Sequence, residues 1–184
     1  MSNYEKQVII INGQGGCGKD TLIDFISEKY DVLAISAVDK IKDIAKQIGW
    51  KGGKEPKDRK FLADLKNLSD EYNNFTMTYM INQFIAFMSD MDGHNDIMFI
   101  CLREPENIRI LCDILNPIIQ SKTNGSSVAT LLIKRGEQKI YGNTADDDVN
   151  NYNYNYIFEN NAPLEETKDK FISFVENNIL TERN

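Results

Sequence analysis

Nine residues near the N-terminus, Gly13-Gln14-Gly15-Gly16-Cys17-Gly18-Lys19-Asp20-Thr21, restrict what this chain can fold into more than any other stretch. They follow the apolar run Val8-Ile9-Ile10-Ile11 and precede Leu22-Ile23-Asp24-Phe25-Ile26, whose apolar positions suit a helix lying on a sheet. The spacing G-x-x-x-x-G-K holds from Gly13 to Lys19, the pattern of a loop whose backbone N–H groups surround the oxygens of a di- or triphosphate. Glycines at 13, 15, 16 and 18 let the backbone approach an anion closely. Behind the loop, the helix N-terminus offers unsatisfied N–H groups and a partial positive charge to the same anion. Lys19 is expected to reach the β- and γ-phosphates as a mobile point charge. The residue after it is Asp20 rather than Ser or Thr, with Thr21 one place later, so Asp20 and Thr21 both stand as candidate Mg²⁺ ligands.

At 184 residues the chain suits a single α/β domain with a substantial core. No apolar run approaches the roughly 18 residues of a membrane span. The N-terminus lacks a basic region followed by an apolar core, so a cytoplasmic location is expected. A net charge of −7 argues against nucleic acid as a partner, which leaves a phosphate ligand to be held by local cations. The three cysteines, Cys17, Cys101 and Cys112, have no zinc-like spacing, and their odd number suits a reducing compartment. His94 is the only histidine, which removes histidine-based metal sites.

Strands are expected at 31–36, 97–102, 128–133 and 154–160, in addition to the first. Helices are expected from about Val38, over 57–72 with Phe61, Leu62, Leu65 and Leu68 on one face, and over 76–91. The stripe Met77, Met80, Ile81, Phe84, Ile85, Met88 of that last helix reads as core. A further helix starts at Pro105 and Glu106, and the final one follows Pro163 with Leu164, Phe171, Phe174, Val175 and Leu180 on its apolar face. Arg103 falls at a strand end, the edge where open α/β sheets bind ligands, and a guanidinium there suits phosphoryl oxygens; an ion pair with Glu104 or Glu106 is the competing reading. Asp39, Lys40 and Lys42 sit just past another strand end, and Arg59 lies where a helix dipole disfavours a cation unless a phosphate is present. Residues from about 136 to 151 show no sustained apolar period and are expected to form a lid. Asn150 to Tyr156 alternates polar and aromatic residues.

With these elements in order, the chain resembles the small P-loop kinases that phosphorylate monophosphates. The likeness is strongest to the phage and bacterial deoxynucleoside monophosphate kinases and to phosphomevalonate kinase, within an adenylate kinase-like fold. Gly13 to Thr21 matches the G-K-D-T loop, and Ser36-Ala37-Val38-Asp39-Lys40-Ile41-Lys42 looks like the A-D-P-L-K segment. Arg59-Lys60-Phe61-Leu62-Ala63-Asp64-Leu65 is similar to the helix whose first arginine contacts the acceptor phosphate, and Leu102 to Glu106 looks like D-x-R-x-x-x-E. Tyr156 to Glu166 resembles the final I-x-N-D-G-S-L-E-E.

The resemblance implies a three-layer P-loop fold, a five-stranded parallel sheet flanked by helices, with acceptor-binding helices over about 38–91. It implies ATP and Mg²⁺ held by Gly13, Gly15, Gly16, Cys17, Gly18, Lys19, Asp20 and Thr21, with Arg135 and Asn160 also at the nucleotide. It implies an acceptor site of Asp39, Lys42, Arg59 and Arg103, and catalysis by Lys19, Arg103 and Arg135. The expected reaction is transfer of the ATP γ-phosphoryl group to a small phosphomonoester, such as a nucleoside or deoxynucleoside monophosphate, by a monomer or homodimer. Dephospho-coenzyme A and phosphomevalonate are alternative acceptors, and a nucleotide-binding regulatory module or a nucleotide hydrolase are alternative classes. Two departures stand out: Cys101 takes the place of the strand-end aspartate, and Asn143-Thr144-Ala145-Asp146 replaces the H-x-S-E-like lid pattern.

Overall fold

Apolar runs form the strands: β1 (Gln7–Asn12), β2 (Val32–Ser36), β3 (Ile97–Cys101), β4 (Ala129–Lys134) and β5 (Tyr156–Glu159). The helices are α1 (Lys19–Ser27), α2 (Asp39–Gln47), α3 (Pro56–Asn73), α4 (Phe75–Ser89), α5 (Pro105–Lys122) and α6 (Leu164–Asn178). The computed structural model describes residues 5–53, 55–90, 96–123, 126–136 and 148–180. The expected Met91 end of α4, His94 and most of the lid therefore lie outside the described residues.

All five strands are parallel, in the order β2-β3-β1-β4-β5. Every residue of β1 is buried, as a central strand covered on both faces requires. The step from β1 to β2 crosses the sheet in one direction and the step from β3 to β4 in the other. Right-handed crossovers therefore put α1 and α5 on opposite faces. Ile9, Ile11, Phe99 and Leu131 accordingly pack with Leu22 and Ile26 of α1 and Phe171 and Val175 of α6. Val8, Ile10, Met98 and Ile100 pack with Met80 and Phe84 of α4 and Ile108, Leu111 and Leu115 of α5. The reversal of direction at β1 opens a crevice beyond the strands' C-terminal ends, the place where such sheets bind ligands.

Three packing expectations change. No residue of α3 is buried; Phe61 is 36% and Leu68 67% exposed, so the expected apolar face is not a core face. In α4 the buried set is Thr76, Met80, Phe84, Phe87 and Met88, while Ile85 is exposed. Met77 and Ile81 are half-buried against the same core, so of the expected stripe only Ile85 turns outward, while Thr76 and Phe87 add to the buried face. Leu164 is 64% exposed, since it stands at the first position of α6, where it borders a surface cleft.

The Asn–Tyr alternation is a strand-like period. Tyr152, Tyr154, Tyr156 and Phe158 turn inward against the two cores, while Asn151, Asn153, Asn155 and Ile157 are exposed. Asn155 still uses its side-chain oxygen to accept both the N–H and the hydroxyl of buried Thr130, which fixes the approach to β5.

Candidate active site

The phosphate loop leaves β1 through Gly13 and enters α1 through Gly18. Gly16 and Gly18 have φ of 80° and 94°, left-handed values that side chains resist. Space is equally restrictive: a Cβ on Gly13 would meet the Ile133 carbonyl oxygen at 2.5 Å and Cys17 Sγ at 2.7 Å. A Cβ on Gly18 would meet Asn160 Nδ2 at 2.6 Å. The Ile133 backbone and the side chains of Cys17 and Asn160 are thus packed tightly against the loop glycines. Lys19 is half-buried and donates to the Gly13 carbonyl at 2.5 Å, with the Gln14 carbonyl at 3.5 Å and Cys17 Sγ at 3.6 Å. Its ammonium therefore sits within the curl of the loop. Asp20 and Thr21 are exposed in the first turn of α1, where two hard oxygen donors suit a Mg²⁺ ion shared with phosphate. Among the described residues no three His, Cys, Asp or Glu side chains gather into a metal cage.

Asn160, just beyond β5, is buried and donates to the Cys17 carbonyl at 2.8 Å. It supports the loop from behind, with Thr167 Oγ1 3.4 Å from its side-chain oxygen. Gly18, Thr21, Arg135 and Asn160 line one cleft with Phe25 and Leu164, so four residues expected at the nucleotide converge there. Arg135 is exposed at the end of β4.

One organising residue escaped the sequence reading. Asn12 ends β1 wholly buried, and every polar atom of its side chain is engaged. Its oxygen accepts the Gly13 N–H at 2.7 Å. Its nitrogen donates to the Arg103 carbonyl at 2.8 Å and to Tyr154 Oη at 2.6 Å, and the Tyr154 hydroxyl donates in turn to the Val149 carbonyl at 2.8 Å. Three chain segments are thereby joined at the root of the loop. The only sequence signal was a lone amide closing an apolar run. Burial pushes the Tyr154 phenol up to about 12, against the Asn12 bond, so it remains a donor at any ordinary pH.

At the end of β3, burial pushes the Cys101 thiol up to about 11. Lys19 and Arg103 oppose that shift while Asp20 and Asp39 add to it. Those four charges, two from the first turn of α1 and two from beyond the ends of β2 and β3, thus act on one point, and the side chain at that point is a neutral thiol. Asp39 accepts the Ser36 N–H at 2.6 Å and has Lys42 Nζ at 3.8 Å, so the expected acceptor pair is already mutually engaged. Arg59 is exposed at the fourth position of α3, in its first turn. Arg103 is exposed; of the neighbouring carboxylates, Glu104 lies 3.2 Å from Lys66 and Glu106 2.6 Å from Arg109.

Lys66 was the second residue missed. Its side chain is only 13% exposed and lies 3.2 Å from both Asp70 and Glu104. Burial pulls its pKa down, but the two carboxylates outweigh that and the net shift is upward. Among the described residues, no helix is long and apolar enough to cross a membrane.

No protein-family model matches the sequence, and neither does any curated protein. Similar solved structures include dephospho-CoA kinase from Campylobacter jejuni, at 15% identity and TM-score 0.45 over 95% of this chain and 98% of that one. Shikimate kinase from Aquifex aeolicus gives 15% and 0.42 over 94% and 98%. A sugar kinase from a Janibacter species gives 14% and 0.44 over 93% and 95%. At these scores the likeness carries no functional weight, which leaves the assignment to the residues.

Proposed function

We propose that this chain is an ATP-dependent kinase, a single domain that transfers the γ-phosphoryl group to a small phosphomonoester, with nucleoside and deoxynucleoside monophosphates as the first candidates. The observation that carries the reading is the phosphate loop itself. It lies at the C-terminal end of the central strand, where the sheet reverses direction, with the Lys19 ammonium inside its curl. Phosphoryl transfer asks a protein for positioning and charge stabilisation rather than for covalent chemistry. The loop N–H groups and the α1 N-terminus would hold the ATP phosphates. Lys19 would leave the Gly13 carbonyl for the β- and γ-oxygens, exchanging one acceptor for charged ones. Arg135, in the cleft with Gly18 and Thr21, would follow the charge of the migrating group from the nucleotide side. Arg103 would do so from the strand end, and Asp39, Lys42 and Arg59 would orient the acceptor. Asp20 and Thr21 would hold Mg²⁺ beside the phosphates, where the ion neutralises the β- and γ-oxygens. A phosphate acceptor is nucleophilic once aligned, so the mechanism needs no histidine base.

A second reading, a nucleotide-binding regulatory module, is favoured by one observation. A neutral thiol at Cys101 stands where related kinases are expected to place a carboxylate. The test is ADP formation from Mg·ATP with a panel of nucleoside and deoxynucleoside monophosphates, dephospho-coenzyme A, phosphomevalonate and no acceptor, run beside Lys19→Ala. An acceptor-dependent signal lost in the variant is expected. ATP binding without turnover would move the assignment to the regulatory module, and acceptor-independent hydrolysis would make the chain an ATPase.

A further inference from the structure

We propose that Lys66 is a positioning residue for the acceptor half of the site, an ionic latch that fixes α3, and Arg59 with it, against the strand end bearing Arg103. The inference rests on the kinase reading for its functional consequence, and on the geometry alone for its structural one.

The starting observation is that α3, eighteen residues long, buries none of them. Its inward side is half-buried Leu62, Leu65, Lys66, Ser69 and Asp70. Its apolar part, Leu62 and Leu65, is non-directional and tolerates sliding and rotation. The Lys66 cluster does not. Its ammonium lies 3.2 Å from Asp70 on the same helix and 3.2 Å from Glu104, which belongs to the turn between β3 and α5. Asp70 is fixed in turn, accepting the Thr76 N–H at 2.8 Å and the Thr76 hydroxyl at 2.9 Å at the start of α4. Glu104 occupies the N-cap position of α5 but makes no side-chain cap bond, so its carboxylate serves Lys66. One cation therefore connects α3, the α3–α4 junction and the turn that follows β3. Charge-assisted bonds of this kind are directional and, away from bulk water, stronger than exposed pairs.

Two neighbours make this connection functional. Arg103 directly precedes Glu104, and Arg59 lies seven residues before Lys66, about two helical turns along α3. Any rotation of α3 about the latch would carry Arg59 relative to Arg103. The Arg103 backbone is itself bonded to Asn12 at the root of the phosphate loop. Lys66 is thus the link from the acceptor helix to a strand end already tied to the donor loop.

The test compares wild type with Lys66→Met, Lys66→Arg and Glu104→Gln, reading Michaelis constants for ATP and acceptor separately and amide hydrogen exchange without ligand. Loss of one charge-assisted hydrogen bond predicts an acceptor KM raised about tenfold. The ATP KM should be unchanged and Lys66→Arg largely restored. Exchange should quicken over residues 56–73 but not over 13–27. Glu104→Gln cuts the same link from the other side if Lys66→Met folds poorly. Equal changes in both KM values, or unaltered exchange in α3, would overturn the latch. If wild type phosphorylates nothing, the kinase reading fails, and the exchange measurement still decides whether Lys66 fixes α3.

Discussion

The glycine loop after β1 and the helix α3 are held by different means. The loop hangs from β1, whose six residues are all buried, and is backed by Asn12, Asn160 and the Ile133 backbone with no room for a methyl group. Across the crevice, α3 has no buried residue, carries Leu68 and Tyr72 at 67% and 87% exposure, and is tied down by a lysine between two carboxylates. On the kinase reading proposed above, a site that grips one constant group and admits a variable one gains from that division. The loop would then be a preorganised triphosphate cradle, with little reorganisation to oppose transition-state stabilisation. The acceptor wall rests on a few polar links that can adjust without breaking a core.

The comparison can be broken from the donor side first. Gly13→Ala combines backbone strain with a clash against a carbonyl oxygen, and a loss of about 4 kcal/mol in urea unfolding is expected. A variant of near wild-type stability would show that the cradle is slack. Next, Leu22→Ala and Leu68→Ala remove the same atoms from α1 and α3. The buried site should lose about 3 kcal/mol and the exposed one less than about 0.5. Similar losses at both would erase the distinction. Asn12→Leu leaves the Gly13 N–H and Arg103 carbonyl unpartnered at a cost of about 3 kcal/mol, whereas Tyr154→Phe removes one hydroxyl for about 1 kcal/mol. Equal effects would mean that Asn12 acts only through the tyrosine.

The smallest effect expected is a pH dependence at the meeting point of the two halves. The folded state raises the Cys101 thiol from 9.0 to about 11, so the unfolded chain loses that proton first as pH rises. Stability from this group is complete below the unfolded value and declines through the window up to about 11. Unfolding curves of Cys101→Ala should be flatter across that window, and a parallel slope would assign the alkaline loss to other groups such as Tyr154.

The strand, loop and helix from β1 to α1 were legible because glycine spacing, a preceding apolar run and a following amphipathic helix all report the same backbone path. The parallel sheet followed from unbroken apolar strands alternating with helices. In α3, Phe61, Leu62, Leu65 and Leu68 have the period of a core face, yet period says only that they share a side, not that anything covers it. Lys66 and Asn12 have near neighbours in Asp70 and Gly13, but the partners that make them organising residues lie far along the chain at Glu104 and Tyr154. The alternation of Asn and Tyr before β5 was visible, but its inward face could be chosen only once Thr130 and the two cores were in place.

The central position of β1 also governs how the molecule comes into being. Its neighbours in the sheet are strands that pair Gln7 with Ile97 and Ile9 with Ala129. At about ten residues per second of synthesis, the first strand emerges and waits on the order of ten seconds for either partner to exist. Such distant pairing folds slowly, and an unpaired run of Val8-Ile9-Ile10-Ile11 is sticky during the delay. The loop after β1 is thus made well before the parts of the chain that give it its shape. Its cradle closes only after Asn160, some 140 residues behind it, has left the ribosome.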